Sequence, residues 1–309
     1  MITRVEREVR LIGLQRSGNH ALINWILAQA RKPQLFFNDV GPEDPLCEER
    51  LRSPAMRQNP SGEYELVVYS YEDRLLETVT DPHVYPQRQN RYGHQTGARI
   101  DVLILRDPFN TFASREFHTM VPTRRSTYVS GLTGPQLWTT YAREAANQTN
   151  LLGDAKVVVN YNQWCRSREY RKQLARQLGL QFTDRGFNEV TVFGGGSSFD
   201  ATSYSQQAQA MAINERWKQS RHKPEYQSLF SDPLVLKLGT QLFELDEELR
   251  VYIDTELTPR TQVSQAWYRA AAVTFLPGII SLARRSKWVQ KAYGSFVRPL
   301  RQRFIPRSY

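Results

Sequence analysis

A short stretch near the start of the chain, GLQRSG at residues 13–18, places a cation and a hydroxyl between two glycines. The G-x-x-x-x-G spacing is that of a phosphate-binding loop, in which backbone N–H groups and a helix dipole hold an anion. A triphosphate site needs Lys and then Ser or Thr after the second glycine, whereas Asn19 and His20 follow it here. The stretch predicts an anion site whose loop cation is Arg16; the alternative is an ordinary strand–helix turn in which Arg16 is solvated.

A second stretch, VLILRDPFNTFASR at residues 102–115, places Arg106 after an apolar strand and Ser114 eight residues later on the following helix. Ligands of open α/β sheets bind outside the carboxyl ends of the strands. A guanidinium and a hydroxyl that meet there suit a second phosphate. The alternative is that Arg106 pairs with Asp107 and that Ser114 is a surface residue of the helix.

Taken together, LQRSGNHALINW and LRDPFNTFASR resemble the 5′-phosphosulfate loop and the 3′-phosphate motif of sulfotransferases that use 3′-phosphoadenosine 5′-phosphosulfate (PAPS) as donor. The resemblance covers roughly residues 9–218. It implies a P-loop-like α/β fold and a sulfuryl donor whose transfer needs no bridging metal ion; we expect the acceptor to be a hydroxyl rather than an amine. The ligands it implies for the 5′ end of the donor are Arg16, Ser17, Gly18, Asn19 and His20, and those for the 3′-phosphate are Arg106 and Ser114.

Two further stretches resemble the same family over fewer residues. VVVNYNQW at 157–164 resembles the strand whose Tyr contacts the adenine, which is Tyr161 here. FGGGSSFD at 193–200 takes the place of a late glycine-containing loop that covers the 3′-phosphate, although the usual Arg-Lys-Gly of that loop is missing. The groups it would contribute are the backbone N–H groups of Gly194, Gly195 and Gly196 and the hydroxyls of Ser197 and Ser198.

Sulfuryl transfer by in-line attack needs a cation for the leaving group, here Arg16, and a base for the proton of the acceptor. The resemblance places that base after the strand YELVVYSYED, residues 64–73, which offers Glu72 and Asp73. We favour Glu72, which follows the last apolar–polar alternation; the alternative is a carboxylate that only favours a helix N-terminus. The other candidates are histidines: His20, in the first helical turn after the donor loop, where binding or packing fits it better, and His83, His94 and His118.

Strand and helix patterns alternate along the first two thirds of the chain, which predicts a three-layer α/β fold with a mainly parallel sheet flanked by helices. The predicted strands are 8–14, 34–39, 64–73, 99–108 and 155–161. The predicted helices are 19–30, 109–117, 135–152 and 167–180, with further helical stretches at 202–219 and 232–248. Irregular stretches at 41–63, 80–98 and 119–134 are predicted to shape the acceptor pocket.

Charge divides the chain of 309 residues, which carries 41 Lys and Arg against 31 Asp and Glu, a net charge of +10. Ten of the basic residues and no acidic residue lie in 257–309, so residues 1–256 are neutral on balance. We therefore predict a sulfotransferase-like domain at 1–256 and a basic amphipathic C-terminal segment at 257–309. A neutral domain argues against nucleic acid as a partner.

The basic segment contains an apolar stretch, residues 270–283, which Pro277 and Gly278 interrupt and which aromatic residues and cations flank. It is too short to span a bilayer comfortably. Two interpretations stay open: a helix that lies on an anionic membrane surface, and a C-terminal helix that packs on the domain with a solvated basic end.

Cys47 and Cys165 form neither a zinc spacing nor a disulfide framework, and the charged N-terminus shows no secretory signal. The expected compartment is the cytoplasm, with a peripheral membrane contact under the first interpretation of the segment. The function predicted is transfer of a sulfuryl group from PAPS to a hydroxyl of a carbohydrate, a glycolipid or another small molecule. The alternatives are a P-loop kinase of a small metabolite and a non-catalytic nucleotide- or membrane-binding module.

Overall fold

Five parallel strands form one sheet with the first strand of the chain at its centre. The strands are β1 (Ile2–Gly13), β2 (Gln34–Phe37), β3 (Gly62–Glu72), β4 (Gln95–Leu105) and β5 (Val157–Asn160). Their order across the sheet is β2-β3-β1-β4-β5. This computed structural model describes residues 2–31, 33–40, 62–81, 83, 95–117, 123, 130–190, 204 and 206–262. The predicted parallel α/β architecture is confirmed.

In the part of the chain that the structure describes, helices follow β1, β3, β4 and β5 and cover the sheet. The α-helices of the described residues are α1 (Asn19–Gln29), α2 (Leu76–Thr80), α3 (Pro108–Phe117), α4 (Gly134–Ala145), α5 (Tyr161–Arg166), α6 (Arg168–Gln177), α7 (Pro224–Ser228), α8 (Pro233–Leu242) and α9 (Glu247–Tyr252). Two 3₁₀ turns, Ala208–Ala210 and Arg216–Gln219, and a π-helical turn, Ile253–Leu257, complete the described elements.

Alternate residues of the central strands face two different layers of helices. Val9 and Leu11 belong to a buried cluster with Trp25 of α1 and Trp164 of α5. Because successive side chains of a strand point to opposite faces, Leu103 and its alternates face the other layer, which contains α3 and α4. Both faces are therefore covered, which explains why the strands are nearly continuous apolar runs.

The connections after β1 and β4 run to opposite faces of the sheet. The chain leaves β1 into α1, on the face that also holds α5 and α6, whereas it leaves β4 into α3 on the other face. Because β1 and β4 are neighbours, their carboxyl ends form the switch point at which open α/β sheets bind ligands. The two predicted phosphate motifs begin at these two strand ends.

Some predicted elements differ from the observed ones at their ends. The predicted helix 135–152 ends at Ala145, because the Glu144 carboxylate accepts from the backbone N–H groups of Leu151 and Leu152 and folds the chain back. Strand β4 begins at Gln95, inside a stretch predicted to be irregular, because it pairs with an N-terminal half of β1 that was not predicted as a strand. The predicted helix 232–248 is broken at Phe243, which is extended.

The predicted helix at 202–219 is wrong over its described residues. Only short 3₁₀ turns form there, at Ala208–Ala210 and Arg216–Gln219. Side chains near the end of β4 form hydrogen bonds with the backbone of this stretch. Arg106 donates to the carbonyl of Ile213, and the backbone N–H of Trp217 donates to the Asn110 side chain. Tertiary contacts therefore override the helical propensity of this stretch.

The chain divides into two compact units, Met1–Glu247 and Glu248–Tyr309. The sheet, both phosphate motifs and Glu72 belong to the first unit. The described part of the second ends at residue 262, so the apolar stretch 270–283 lies outside the described residues. The predicted boundary at residue 256 and both interpretations of the basic segment stay predictions. In the described part of the chain, no helix has the length and apolar character that crossing a membrane requires.

Candidate functional site

The loop after β1 turns sharply because two of its residues adopt left-handed backbone angles. Arg16 has φ 70° and Gly18 has φ 94°. The backbone N–H of Ser17 donates to the carbonyl of Leu14 at 3.1 Å and closes the turn. A Cβ on Gly18 would overlap the ring of Tyr161. Position 18 therefore needs glycine for its backbone angle and for the ring that it contacts.

Helix α1 begins at this loop without a side-chain cap. Gly18 is the N-cap residue, its first turn has no acidic residue, and no capping side chain is present in the described residues. Other helices of the chain begin with a capping side chain: Thr133, Asn160, Ser167 or Asp232. The first-turn N–H groups of α1 therefore keep their capacity to bind an anion, which the helix dipole favours.

The guanidinium of Arg106 contacts this loop at the edge of the sheet where the carboxyl ends of β1 and β4 lie. Its Nη1 donates to the carbonyl of Arg16 at 3.1 Å and to Oγ of Ser114 at 3.2 Å, and its Nη2 donates to the carbonyl of Ile213. The side chain is only 5% exposed. Among the residues that the structure describes, neutral oxygens accept from this cation and no carboxylate does.

A buried polar network fixes the backbone at Arg106. The Asp107 carboxylate accepts from the backbone N–H of Asn110 at 2.7 Å and from Nδ2 of Asn162 at 2.8 Å. The indole N–H of Trp138 donates to the carbonyl of Arg106 at 2.9 Å. Asp107 therefore caps helix α3, and its carboxylate oxygens bind these amides rather than the neighbouring guanidinium.

Three arginines influence one another at this edge of the sheet. Desolvation lowers the pKa of Arg16; Glu72 acts in the opposite direction, and the charges of Arg106 and Arg216 lower it further. Desolvation also lowers the pKa of Arg106, with Asp107 opposing it and Arg216 adding to it. Several cations in a poorly solvated place raise the local positive potential, which a bound anion would relieve.

Three buried polar atoms beside the loop have no hydrogen-bond partner within the described ranges. They are Oγ of Ser17, Oδ1 of Asn19 and Nε of Arg106. Buried polar atoms are nearly always paired, so each unpaired one requires an explanation. The Ser17 hydroxyl and the Nε–H of Arg106 are hydrogen-bond donors without an acceptor among the described residues, so both are able to donate to a bound anion.

Tyr161 is the first residue of α5 rather than the last residue of a strand. Its ring stacks on Trp164 at a centroid distance of 5.4 Å, and the Arg106 guanidinium lies 5.9 Å from its centre. Burial raises the pKa of its hydroxyl well above the ordinary value. The ring therefore contacts both predicted motifs, whereas its contact with an adenine stays a prediction.

Glu72 ends β3 next to the loop. Nδ2 of Asn19 donates to its Oε1 at 2.9 Å and to the carbonyl of Leu14 at 3.0 Å. Desolvation raises the pKa of Glu72, the charge of His20 and the Asn19 bond lower it, and Asp39 and Asp73 raise it further. A carboxyl group with a raised pKa in a cleft is a candidate for acid–base chemistry. Both hydrogens of the Asn19 amide are engaged, which leaves its backbone N–H for an anion.

Asp73, the other carboxylate after β3, is held in a buried ion pair. Arg115 donates to its two oxygens at 2.9 and 3.0 Å, and the backbone N–H of Gln15 donates to Oδ1 at 3.1 Å. This pair joins the donor loop to helix α3. Asp73 therefore supports the loop, whereas the Glu72 carboxylate accepts a hydrogen bond from Asn19 at Oε1.

His20, the second residue of α1, contacts the end of β2 through Asn38. Its Nε2 and Oδ1 of Asn38 are 2.7 Å apart. Of the competing histidines, His83 is exposed in a turn. His94, His118 and the loop that contains Gly194, Gly195, Gly196, Ser197 and Ser198 lie outside the described residues, so their predicted roles stay predictions.

Left-handed backbone angles occur after three neighbouring strands. Arg16 follows β1, Asp39 follows β2 with φ 48°, and Asp73 follows β3 with φ 54°. For residues other than glycine such angles carry a cost, and they cluster at functional sites. Here they turn the chain at the ends of β1, β2 and β3.

Sequence reasoning missed two residues of this edge. Arg216 lies in a 3₁₀ turn far along the chain, in a stretch predicted to be helical. The only feature of the sequence that could have indicated it is that this arginine precedes a tryptophan. Asn38 follows a short edge strand, and an isolated Asn after a strand gives no signal of a contact with His20. Within the described residues, no cluster of three or more His, Cys, Asp or Glu side chains could hold a metal ion.

No protein-family model matches this chain, and no curated protein sequence matches it. Among solved structures, the chain is similar to the crystal structure of mouse sulfotransferase SULT7A1 complexed with PAP. The two share 13% sequence identity at a TM-score of 0.41, over 82% of this chain and 90% of the mouse chain. A likeness of this degree carries no functional argument, which has to come from the residues of the site.

Proposed function

We propose that this protein transfers a sulfuryl group from PAPS to the hydroxyl group of an acceptor. The observation that carries the proposal is that the Arg106 guanidinium contacts the loop that ends at Gly18. Its Nη1 donates a hydrogen bond of 3.1 Å to the Arg16 carbonyl of that loop. A nucleotide with one anionic group at its 5′ position and another at its 3′ position would contact both motifs at once.

The loop chemistry supports a sulfuryl donor over a triphosphate. A phosphate-binding loop that handles ATP supplies a Lys for the outer phosphates and a Ser or Thr for magnesium. Asn19 and His20 take those positions, and their side chains bind Glu72 and Asn38 instead. A small-metabolite kinase, the second candidate, therefore lacks the groups that its chemistry needs.

In the proposed reaction an acceptor oxygen attacks sulfur while the bond from sulfur to the phosphate oxygen breaks. Negative charge then builds on the leaving phosphate. Arg16 and the first-turn N–H groups of α1 stabilise that charge, and one such donor is typically worth about 3 kcal/mol. Arg106 and Ser114 hold the 3′-phosphate, and Arg216, whose charge acts on both Arg16 and Arg106, adds to the positive potential of the same pocket.

Glu72 is the proposed base that takes the proton of the acceptor. Desolvation raises its pKa, which makes the carboxylate a stronger base near neutral pH. The Asn19 amide holds Oε1 at 2.9 Å, so the carboxylate has a fixed direction. Asp73 is unsuited to this role because Arg115 occupies both of its oxygens.

Calorimetry with 3′-phosphoadenosine 5′-phosphate (PAP) tests this proposal on the full chain. In buffer with EDTA we expect PAP to bind without a metal ion, and ATP with magnesium to bind far more weakly. No binding of PAP, together with binding of ATP that requires magnesium, would favour the kinase instead.

Turnover separates an enzyme from a non-catalytic module. With PAPS and mixed pools of carbohydrate, glycolipid and small-molecule hydroxyl acceptors, we expect a sulfated product that mass spectrometry identifies. If PAP binds but neither a sulfated product nor free sulfate appears, the chain is a nucleotide-binding module that keeps the donor loop without the reaction.

A further inference from the structure

Asp73 and Arg115 form a buried ion pair that also binds the backbone of the donor loop. Arg115 donates to both carboxylate oxygens of Asp73, at 2.9 and 3.0 Å, and from Nη1 to the carbonyl of Gln15 at 3.2 Å. The Asp73 carboxylate accepts from the backbone N–H of Gln15 at 3.1 Å. One ion pair therefore holds both polar backbone groups of this loop residue.

Two members of this contact are chain neighbours of proposed donor ligands. Gln15 precedes Arg16, the cation of the loop, and Arg115 follows Ser114 on helix α3. Because neighbouring residues of a chain move together, the bond from Arg115 to Gln15 limits how far the loop and helix α3 can separate. The ion pair thus connects the two predicted phosphate motifs one residue away from the groups proposed to bind the nucleotide.

Arg106 forms another link between the same two motifs. Its Nη1 donates to the Arg16 carbonyl at 3.1 Å and to Oγ of Ser114 at 3.2 Å. Arg106 and Ser114 are proposed to hold the 3′-phosphate, so a bound phosphate would compete for the groups that form this link. The pair of Asp73 and Arg115 uses none of the proposed ligand groups, so nucleotide binding need not break it.

Burial and backbone contacts make the ion pair a rigid connection. The side chain of Arg115 is fully buried and that of Asp73 is 4% exposed. Hydrogen bonds between charged groups are strong where water is excluded, and a guanidinium that binds both carboxylate oxygens fixes the orientation of both groups. The backbone N–H of Asp73 donates to the Gly13 carbonyl at 3.1 Å, which holds Asp73 at its unfavourable φ of 54°.

We propose, on the basis of the proposed function, that the Asp73–Arg115 pair fixes the separation of the two phosphate motifs and so makes the site selective for a nucleotide with phosphates at both its 5′ and its 3′ position. Two groups of one ligand reinforce each other only when both subsites can be engaged at once. A loop that moved relative to Ser114 would still bind a 5′-phosphate through its N–H groups but would lose the contribution of the 3′-phosphate. Neither side chain of the pair is proposed to touch the nucleotide, so both are positioning residues.

Affinities for PAP and for 5′-AMP, measured by calorimetry on the full chain, test this role. The variant with both Asp73→Asn and Arg115→Met removes the two buried charges together, so neither is left uncompensated. Asn tolerates a left-handed angle, and Met has no donor for the Gln15 carbonyl. We expect the preference for PAP over 5′-AMP to fall by about tenfold or more, the worth of a charged hydrogen bond to the 3′-phosphate, with 5′-AMP affinity close to that of the wild type.

Arg115→Lys tests the same point without removing the charge. Lysine keeps a cation beside Asp73 but lacks the planar fork that binds two carboxylate oxygens and a carbonyl together. We expect a loss of PAP preference in the same direction in a protein that remains folded, which thermal unfolding checks.

The matched control is the variant with both Asp101→Asn and Arg10→Met. Arg10 also binds both oxygens of an aspartate, Asp101, and one backbone carbonyl, that of Val79. Arg10 and Asp101 are register partners in β1 and β4, before the strand ends that form the site. This control should unfold at a lower temperature than the wild type and keep the wild-type preference for PAP.

Three results would overturn the role of the pair while leaving the proposed function in place. They are a wild-type preference in the folded variants of Asp73 and Arg115, an equal loss of affinity for both ligands, and the same loss of preference in the control. A wild type that does not bind PAP would instead overturn the proposed function itself.

Discussion

Burial of the Arg106 guanidinium is the strongest single-residue argument for an anionic ligand. Removing a charge from water costs several kcal/mol unless a counter-charge compensates it. Within the described residues, neutral oxygens of Arg16, Ser114 and Ile213 are its acceptors, and its Nε has none. Desolvation lowers the pKa of Arg106 and the charge of Asp107 raises it, but the Asp107 carboxylate does not bond to the guanidinium. A phosphate that bound here would supply the acceptor that Nε lacks.

The role of Glu72 leads to opposite expectations for turnover and stability. Glu72→Gln removes the base, so we expect kcat to fall by about 10²–10⁴-fold with PAP affinity retained. The pKa of Glu72 is raised in the folded protein, so ionisation of the wild type lowers stability as pH rises through that pKa. The Gln variant does not ionise, and at neutral pH it should be at least as stable as the wild type in thermal unfolding.

Glu63→Gln is the matched control, because Glu63 is an exposed residue of the same strand. It should leave kcat and PAP affinity unchanged. Near-normal turnover of Glu72→Gln would remove Glu72 from the reaction, and a loss of PAP binding in that variant would show that it acts on the loop instead.

Residues of the site differ in how far the sequence reveals them. Arg16, Arg106 and Ser114 were predictable because each lies in a short continuous motif. Within such a motif the number of residues between two side chains largely fixes their relative positions. Arg216 and Asn38 were not, because their positions depend on how distant segments meet: Arg216 follows the Ile213 carbonyl that Arg106 binds, and Asn38 depends on Ser70 of the next strand.

At the level of elements, the donor loop needs a glycine at its end. We expect Gly18→Ala to weaken PAP binding strongly, because alanine is disfavoured at φ 94° and its Cβ would overlap the Tyr161 ring. Gly153→Ala separates these two causes, since Gly153 has φ 81° with open space around it. Calorimetry and thermal unfolding of both variants measure the difference.

Both alanine variants carry the cost of a left-handed angle, so both should unfold at a somewhat lower temperature than the wild type. Only Gly18→Ala should lose PAP affinity. Equal affinities of the two variants for PAP would contradict a binding role of the loop.

Most elements followed from local pattern, and the errors have a common cause. The strands that the sheet buries on both faces are apolar runs that no other structure explains as well. The stretch at 202–219 instead has alanines and polar residues that favour a helix, yet Arg106 and Asn110 bind its backbone and hold it in short turns. A single sequence does not indicate that distant side chains will form hydrogen bonds with the backbone of a stretch and so prevent a helix there.

At the scale of the first compact unit, the strand order explains why the two motifs meet. β1 and β4 are neighbours, and their following segments leave toward opposite faces, so both phosphate motifs open into one crevice. Arg106 follows β4, whereas Glu72 ends β3 and Asp39 follows β2.

The basic segment gives a prediction for the whole chain. Under the membrane interpretation, the full chain should sediment with vesicles that contain phosphatidylserine, more weakly at high salt, and a chain that lacks residues 263–309 should not. Vesicles of phosphatidylcholine alone are the control. Sedimentation that is unchanged by the deletion would contradict a membrane role of the segment.

The central claim is that one nucleotide bridges the Gly18 loop and Arg106, and a comparison of two ligands tests it most directly. Affinities of the wild type and of Arg106→Gln for PAP and for 5′-AMP, measured by calorimetry, isolate the contact between Arg106 and the 3′-phosphate. We expect the wild type to prefer PAP by about 10–100-fold, the worth of a charged hydrogen bond, and Arg106→Gln to bind both ligands equally. A variant that loses the same factor for both ligands, or a wild type that does not distinguish them, would contradict the account.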